Sequence, residues 1–349
     1  MSDFTALPVT RIEHLTDDSV AITFGLDEKT RPRFRYSAGQ HVTVRAFIDG
    51  NDIRRSYSIC SDASIGELRV GVRRLDGGIF STWATKELHL GDVVDVMTPV
   101  GDFTVPPPIG PRHIAAIAAG SGITPILSIA STVLSTEPDS RFSLIFGNRT
   151  AQSIMFLEEL EGLKDRYTER FQMVHVLSRE PSAVPLFSGR LDSQKIEALL
   201  DTVVTEPAAH WFLCGPYDMV HAAREVLERR QTGQVHDELF FAEPYVEPPV
   251  PPPSTEGLTN VTFTLDGRAS VVLVDPAGPP ILDYALGVRS ELPFSCRGGV
   301  CATCKAKVVT GSVRMDENWC LVPEEVAAGI VLTCQSHPLT EQLVLDYDV

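Results

Sequence analysis

Apolar residues along this chain follow two different rhythms, and the change falls near position 107. Before it, short segments alternate apolar and polar side chains: HVTVRAF (41–47), RRSYSIC (54–60), ELRVGVRRL (67–75) and DVVDVMT (92–98), punctuated by Gly, Asp and Asn. A period of two predicts half-buried strands in an antiparallel barrel or sandwich. After VPPPIGP (105–111), continuous apolar runs alternate with helical patterns. HIAAIAA leads into TPILSIASTVL, FSLIFGN into MFLEELEGLKDRY, FQMVHVLS follows, and HWFLCG leads into DMVHAAREVLERR. That alternation predicts βα units around a parallel sheet.

A third texture begins after EPYVEPPVPPPSTEG (243–257), where six prolines fall between Pro244 and Pro253. Such a stretch favours extended polyproline II and reads as a semi-rigid spacer. Beyond it, VTFTLDGRASVVLV predicts a hairpin turning at Asp266–Gly267, and ILDYALGVRS a helix. The expected organisation is therefore multidomain: an antiparallel β-barrel over 1–107, an α/β parallel-sheet domain over 108–243, a Pro-rich linker over 244–257, and an α+β domain over 258–349. No internal repeat is visible. A chain of 349 residues suits two or three domains.

Composition narrows the classes of partner. The net charge of −16 argues against nucleic acid, because phosphate binding needs clustered Lys and Arg. No run reaches the roughly 18 apolar residues of a membrane span. The N-terminus, MSDFTALPVTRIEH, lacks a basic region followed by an apolar one, so no signal peptide is expected and the default compartment is the cytoplasm. Seven cysteines there are poor disulfide candidates.

Four of those cysteines crowd into PFSCRGGVCATCKAKV and VLTCQSHP, with the spacing Cys-x4-Cys-x2-Cys-x29-Cys. That spacing matches the plant-type [2Fe–2S] pattern and assigns Cys296, Cys301, Cys304 and Cys334 as ligands. Gly298 and Gly299 can adopt positive φ and turn amides toward the sulfurs. Structural zinc is disfavoured, since zinc sites usually pair two Cys-x2-Cys knuckles. Cys320 lies outside the pattern and reads as a packing cysteine.

Two further motifs point to nucleotides. In RRSYSI, Arg55 can meet a pyrophosphate, Tyr57 can wall a flavin ring, and Ser58 can reach the ring edge. DGGIFSTW supplies Gly78, Phe80 and Ser81 at a helix start, an anion site suited to a second phosphate contact. AGSGITP follows a strand and opens a helix, as a pyrophosphate turn does, although it lacks the full G-x-G-x-x-G. CGPYDM repeats the theme at what reads as the third strand-to-helix junction. Both motifs fall at strand carboxyl ends, where doubly wound sheets bind ligands. Arg149 and Arg179, also at strand ends, are candidates for a 2′-phosphate, which favours NADPH and leaves NADH possible. The same two arginines read equally well as solvated loop residues.

RRSYSIC, IAAGSGITPIL, GNRTAQSIMF, HDELF and LPFSCRGGVCATCKAKV together resemble the ferredoxin–NADP⁺ reductase superfamily, and more narrowly the reductases of bacterial multicomponent oxygenases. The resemblance spans nearly the whole chain. It implies an FAD-binding barrel, an NAD(P)-binding domain and a β-grasp ferredoxin domain, passing electrons from NADPH to FAD, to [2Fe–2S], and then to an oxygenase. Some relatives of this domain order use FMN. FAD would be held by Arg55, Tyr57, Ser58, Gly78, Phe80 and Ser81. NADPH would lie along Gly120, Gly122, Thr124, Pro125, Gly215 and Pro216, with Cys214 beside the nicotinamide, Glu238 close to the hydride path and Phe240 covering the flavin. Ser58, Cys214 and Glu238 would form the catalytic set. The implied partner is the diiron oxygenase of phenylacetyl-CoA 1,2-epoxidation, with a ketosteroid hydroxylase or ring-hydroxylating dioxygenase, using NADH, as the alternative. A redox sensor without turnover is a remoter reading. Asp316, Glu317, Glu324 and Glu325 form an acidic run that could meet a basic patch on the oxygenase or simply be solvated.

Overall fold

The structure is a computed structural model that describes residues 4–240 and 257–348. Apart from Gly257, the expected linker lies outside the described residues. The chain divides into two compact units, one built chiefly from the residues before 243 and one from those after it.

The first unit begins with a six-stranded sheet: β1 (Thr5–Thr16), β2 (Ser19–Phe24), β3 (His41–Ile48), β4 (Asn51–Ser58), β5 (Leu68–Arg73) and β6 (Val93–Val96), with helix α1 (Ile79–Lys86) between the last two. Their order is β4-β3-β6-β1-β2-β5, and a bridge between Ile59 and Val70 ties the end of β4 back to β5. Val9, Ile22, Val44, Ile59, Leu68 and Val96 fill the interior. Burying each such side chain contributes about 1.5–3 kcal/mol. The sequence patterns did not single out β1 and β2. Every position of β2 is buried, so it shows no alternation, while β1 is mostly polar and bulged.

The same unit continues with β7 (His113–Ala119), α2 (Ile123–Thr136), β8 (Arg141–Asn148), α3 (Leu157–Arg166), β9 (Phe171–Leu177), α4 (Ser193–Thr202), β10 (His210–Gly215), α5 (Tyr217–Arg230) and β11 (Gln234–Leu239). The five strands are parallel in the order β11-β10-β7-β8-β9. Central strand β7 is buried along Ile114–Ala118, as a strand covered on both faces must be. The strand order reverses beside β7, so the carboxyl ends of β7 and β10 flank the crevice.

Two elements were not foreseen. Helix α4 follows β9, so CGPYDM sits at the fourth strand-to-helix junction rather than the third. Only Ile196, Leu199 and Leu200 mark its buried face, and its start is set by Asp192, whose carboxylate accepts from Lys195 N–H at 2.8 Å. Strand β11 is polar because it is an edge strand; its QVHDEL sequence carries no apolar alternation.

The second unit is a mixed sheet of β12 (Thr259–Leu265), β13 (Arg268–Val274), β14 (Lys305–Thr310), β16 (Ile330–Leu332) and β18 (Gln342–Asp346). Helices α6 (Ile281–Leu286) and α7 (Pro323–Ala327) and a small ladder of β15 (Val313–Met315) with β17 (Ser336–Pro338) complete it. The β12–β13 hairpin turns at Asp266 and Gly267, whose φ angles of 52° and 68° are those of a type I′ turn. Strand β18 runs parallel to β12 and antiparallel to β14. The cysteine loop lies between α6 and β14.

Candidate functional site

At the crevice, Gly120, Ser121 and Gly122 form a tight turn directly after β7, and α2 starts behind it. A Cβ built on Gly122 would lie 2.2 Å from the Cys214 carbonyl oxygen and 2.9 Å from Gly215 N. The turn can therefore press against the end of β10 only as glycine. Thr124 Oγ1 donates to Ser121 O at 3.0 Å and locks the turn. Pro125 lies in the first helical turn, where no amide hydrogen is required. The open N–H groups of this end of α2 suit an anion.

Across the crevice, register pairs Cys214 of β10 with Glu238 of β11. Cys214 is 0% exposed, and burial, helped by the Glu238 charge, pushes its thiol well above the ordinary range. Glu238 Oε2 accepts from Ser58 Oγ at 3.2 Å. The three residues expected to act together, from β4, β10 and β11, are thus brought to one place. Phe240 follows immediately, its N–H donating to Gly215 O at 3.2 Å. Gly215 and Pro216 lead into α5, with Pro216 at its N-cap.

On the barrel side, Tyr57 is partly buried and its ring centroid lies 5.5 Å from that of Phe80. Phe80 itself is core, packed against Trp83 as well, so its side chain supports Tyr57 rather than facing a ligand. Ser81 differs similarly from expectation. Its hydroxyl accepts from Leu75 N–H at 3.1 Å and lies 3.3 Å from Gly78 O, which leaves the backbone amides of α1 as the donors for an anion. Arg55 stands on β4 and donates to Arg54 O at 2.6 Å.

Arg149 and Arg179, thirty positions apart in sequence, are neighbours: Arg179 N–H donates to Arg149 O at 2.8 Å. Both are exposed. Two residues near the crevice were missed. Arg73 reaches from β5 to the nucleotide turn, donating to Ser153 O at 2.6 Å, with Nη1 3.2 Å from where a Gly120 Cβ would be. His41 sits at the head of β3, its Nδ1 3.9 Å from Glu238 Oε1. Neither carries a motif, although a histidine at the head of an apolar strand such as HVTVRAF is a weak hint.

In the second unit the cysteine loop is wound tightly. Arg297, Gly299 and Ala302 have φ of 54°, 76° and 51°. Gly298 N–H points to Cys296 Sγ at 3.4 Å and Cys296 N–H to Cys301 Sγ at 3.5 Å. The thiols fall into two pairs. Hydrogen bonding to Cys301, together with burial, pushes the Cys296 thiol up, and Cys334 with burial does the same to Cys304. Four thiolates could not coexist here without cations between them, so the donor set fits a metal–sulfide group. Among the described residues no three His, Cys, Asp or Glu side chains close around a single ion, which agrees with ligands shared between two metals. Cys320 is half-buried, and burial pushes its thiol up to about 12.

Comparison with known proteins places each part. Residues 6–105 match the oxidoreductase FAD-binding domain, 116–225 the oxidoreductase NAD-binding domain, and 263–339 the 2Fe-2S iron-sulfur cluster binding domain. Over its whole length the chain is 39% identical to a component of the 1,2-phenylacetyl-CoA epoxidase of Escherichia coli (strain K12), covering 99% of that protein. It is 30% identical to the 3-ketosteroid-9-alpha-monooxygenase ferredoxin reductase component of Rhodococcus rhodochrous, over 98% of this chain and 96% of that one. Its fold is that of phthalate dioxygenase reductase, with a TM-score of 0.62, 23% identity and 98% of each chain covered. The order of an FAD-binding barrel, an NAD-binding parallel sheet and a plant-type ferredoxin domain, with full-length identity to these proteins, places the chain in the ferredoxin–NADP⁺ reductase superfamily, as an electron-transferring oxidoreductase of the oxygenase-reductase family.

Proposed function

We propose that this protein draws electrons from NADPH and delivers them to the diiron oxygenase of a phenylacetyl-CoA epoxidase in the cytoplasm. The observation that carries the reading is the meeting of Ser58, Cys214 and Glu238 where the barrel meets the crevice of the parallel sheet. FAD, when bound, takes two electrons as a hydride from the nicotinamide and gives them up singly to the [2Fe–2S] centre.

The residues divide that work as follows. Tyr57 walls the flavin ring, Phe80 backs Tyr57, and Arg55 with the amides of α1 behind Gly78 and Ser81 takes the flavin's pyrophosphate. The turn at Gly120 and Gly122 and the first residues of α2, Thr124 and Pro125, take the nicotinamide dinucleotide's pyrophosphate. Arg149 and Arg179, side by side at the ends of β8 and β9, take a 2′-phosphate, which is the ground for NADPH. Gly215 and Pro216 border the nicotinamide, Cys214 supplies a desolvated wall against it, and Phe240 covers the flavin. Glu238 fixes Ser58, whose hydroxyl presents its oxygen lone pairs to the flavin edge. Cys296 and Cys301 would hold one iron, and Cys304 and Cys334 the other.

The choice of oxygenase rests on the greater identity to the epoxidase component than to the ketosteroid monooxygenase reductase. The test is reconstitution. Purified protein with FAD, cluster and NADPH should drive oxygenation of phenylacetyl-CoA by the oxygenase components of the epoxidase. Coupling to a steroid hydroxylase instead would overturn the partner, and failure of NADPH to bleach the flavin would overturn the whole reading.

A further inference from the structure

The Glu238 carboxylate has one oxygen on each of two barrel strands. Oε2 accepts from Ser58 of β4, and Oε1 faces Nδ1 of His41 on β3 at 3.9 Å. His41 is 5% exposed and its seat is rigid. His41 N–H donates to Val100 O, and Val100 N–H donates to His41 O, both at 2.9 Å. A Cβ on Gly101 would come within 2.9 Å of Nδ1, so the ring occupies space that only glycine leaves open.

The surroundings of Glu238 are otherwise short of charge. Cys214 faces it from β10, buried and neutral. His236, two positions earlier on β11, lies on the same face, stacked on Phe212 with centroids 4.6 Å apart, and burial holds it neutral. Ser58 is uncharged. A carboxylate among these groups loses solvation, so its ionised form gains from a positive group placed against it, and His41 is so placed.

We propose that His41 is a positioning residue for hydride transfer, holding Glu238 ionised and turned so that Oε2 stays on Ser58. This deepens, and rests on, the assignment of Ser58 and Glu238 to the flavin edge. The direction of the Ser58 hydrogen bond is what matters. With Glu238 ionised, the hydroxyl proton must point at Oε2, and the Ser58 lone pairs are left for the cofactor. With Glu238 protonated, the carboxyl becomes a donor and can reverse that bond.

The experiment uses the full-length holoprotein with His41→Gln, His41→Phe, Glu238→Gln and the double variants. Stopped-flow flavin bleaching by NADPH is followed from about pH 5.5 to 9, alongside equilibrium NADP⁺ binding. Infrared difference spectra on acidification report the protonated carboxyl band that Glu238→Gln removes. We expect His41→Phe to slow bleaching about 10- to 100-fold, a part of what a positioned acid–base group contributes, with NADP⁺ affinity within about threefold. The acid limb of the rate profile and the carboxyl band should both move to higher pH. His41→Gln, which keeps a neutral donor, should recover much of the rate at high pH but not the position of the acid limb. Adding His41→Phe to Glu238→Gln should cost nothing further.

Additive losses, or an unmoved carboxyl band in both His41 variants, would overturn the proposal; the band and His41→Gln decide it even if His41→Phe folds poorly. If Ser58→Ala and Glu238→Gln themselves leave bleaching unchanged, it is the site assignment that falls, a result distinct from failure of His41 alone.

Discussion

Ser58 Oγ donates to Glu238 Oε2 at 3.2 Å, joining the fourth strand of the barrel to the last strand of the parallel sheet across 180 positions of sequence. Neither domain alone contains this pair. Any chemistry that needs both residues therefore needs both domains docked.

Ser58→Ala and Glu238→Gln should each slow flavin bleaching by NADPH about 10²–10³-fold, within the range for a positioned acid–base group. The double variant should lose little more than either single one, because the pair acts as a unit. Stopped-flow absorbance measures the rate, and unchanged circular dichroism confirms the fold. Independent, multiplying losses would show that the two residues do not cooperate.

Much of this was legible in the sequence for a physical reason. The period-two segments, the apolar runs of β7, β8 and β10 and the Asp266–Gly267 turn are local signals, and local physics places them. The cysteine spacing is equally local. What stayed hidden depends on the far side of the fold. Helix α4 shows only three buried positions, and β11 is a polar edge strand. His41 and Arg73 acquire a role only because docking carries them to Glu238 and to the Gly120 turn. Ser81 read as a ligand group because a serine at a helix start looks the same whether it binds an anion or, as here, closes its own loop.

Gly122→Ala should damage the nucleotide site more than an ordinary surface change. The new methyl would meet backbone atoms at 2.2 and 2.5 Å, and backbone cannot rotate away. Overpacking of this kind costs about 1–3 kcal/mol. A lowered urea midpoint, together with NADP⁺ binding weaker by about tenfold or more in calorimetry, is expected. Wild-type affinity would mean that the turn yields.

Arg149→Ala and Arg179→Ala should lower kcat/KM for NADPH while leaving that for NADH nearly unchanged. Each lost phosphate contact removes about 1.5–3 kcal/mol, the value of a charged hydrogen bond, so a fall of roughly 10- to 100-fold is expected. Equal losses with both nucleotides would move the arginines away from the 2′-phosphate and remove the ground for NADPH.

His236 gives the fold a pH dependence whose sign is set by burial. Desolvation, with smaller contributions from the charges of His210 and Arg224, holds its pKa down at about 4, below the ordinary 6.5. The folded state binds fewer protons there than the unfolded one, so stability is full above about pH 6.5 and falls as pH drops toward about 4. The ring is only half buried, so solvent screening limits the effect to on the order of 1–2 kcal/mol. His236→Phe, which keeps the stack on Phe212, should flatten the dependence of the urea midpoint between about pH 7 and 5. An identical slope in wild type and variant would assign the effect to other histidines.

The acidic run of the ferredoxin unit is less uniform than its sequence suggests, and this bears on partner docking. Asp316 is engaged by His337 at 2.9 Å and by Arg314 at 3.1 Å, and Glu325 accepts from Val322 N–H at 3.1 Å and lies 3.8 Å from Lys305. Glu317 and Glu324 are exposed. If this face meets a basic patch, the steering charge comes chiefly from those two, and Glu317→Lys with Glu324→Lys should slow electron delivery to the oxygenase more than Asp316→Asn does. Exposed charges act over a Debye length of about 8–10 Å, so raising salt from about 0.05 to 0.5 M should slow the wild type and speed the doubly reversed variant. The measurement is the second-order rate of oxygenase reduction at several ionic strengths, with ferricyanide reduction as the control for intact internal transfer. A wild-type rate indifferent to salt would leave the acidic residues as a solvated surface and move the docking face elsewhere.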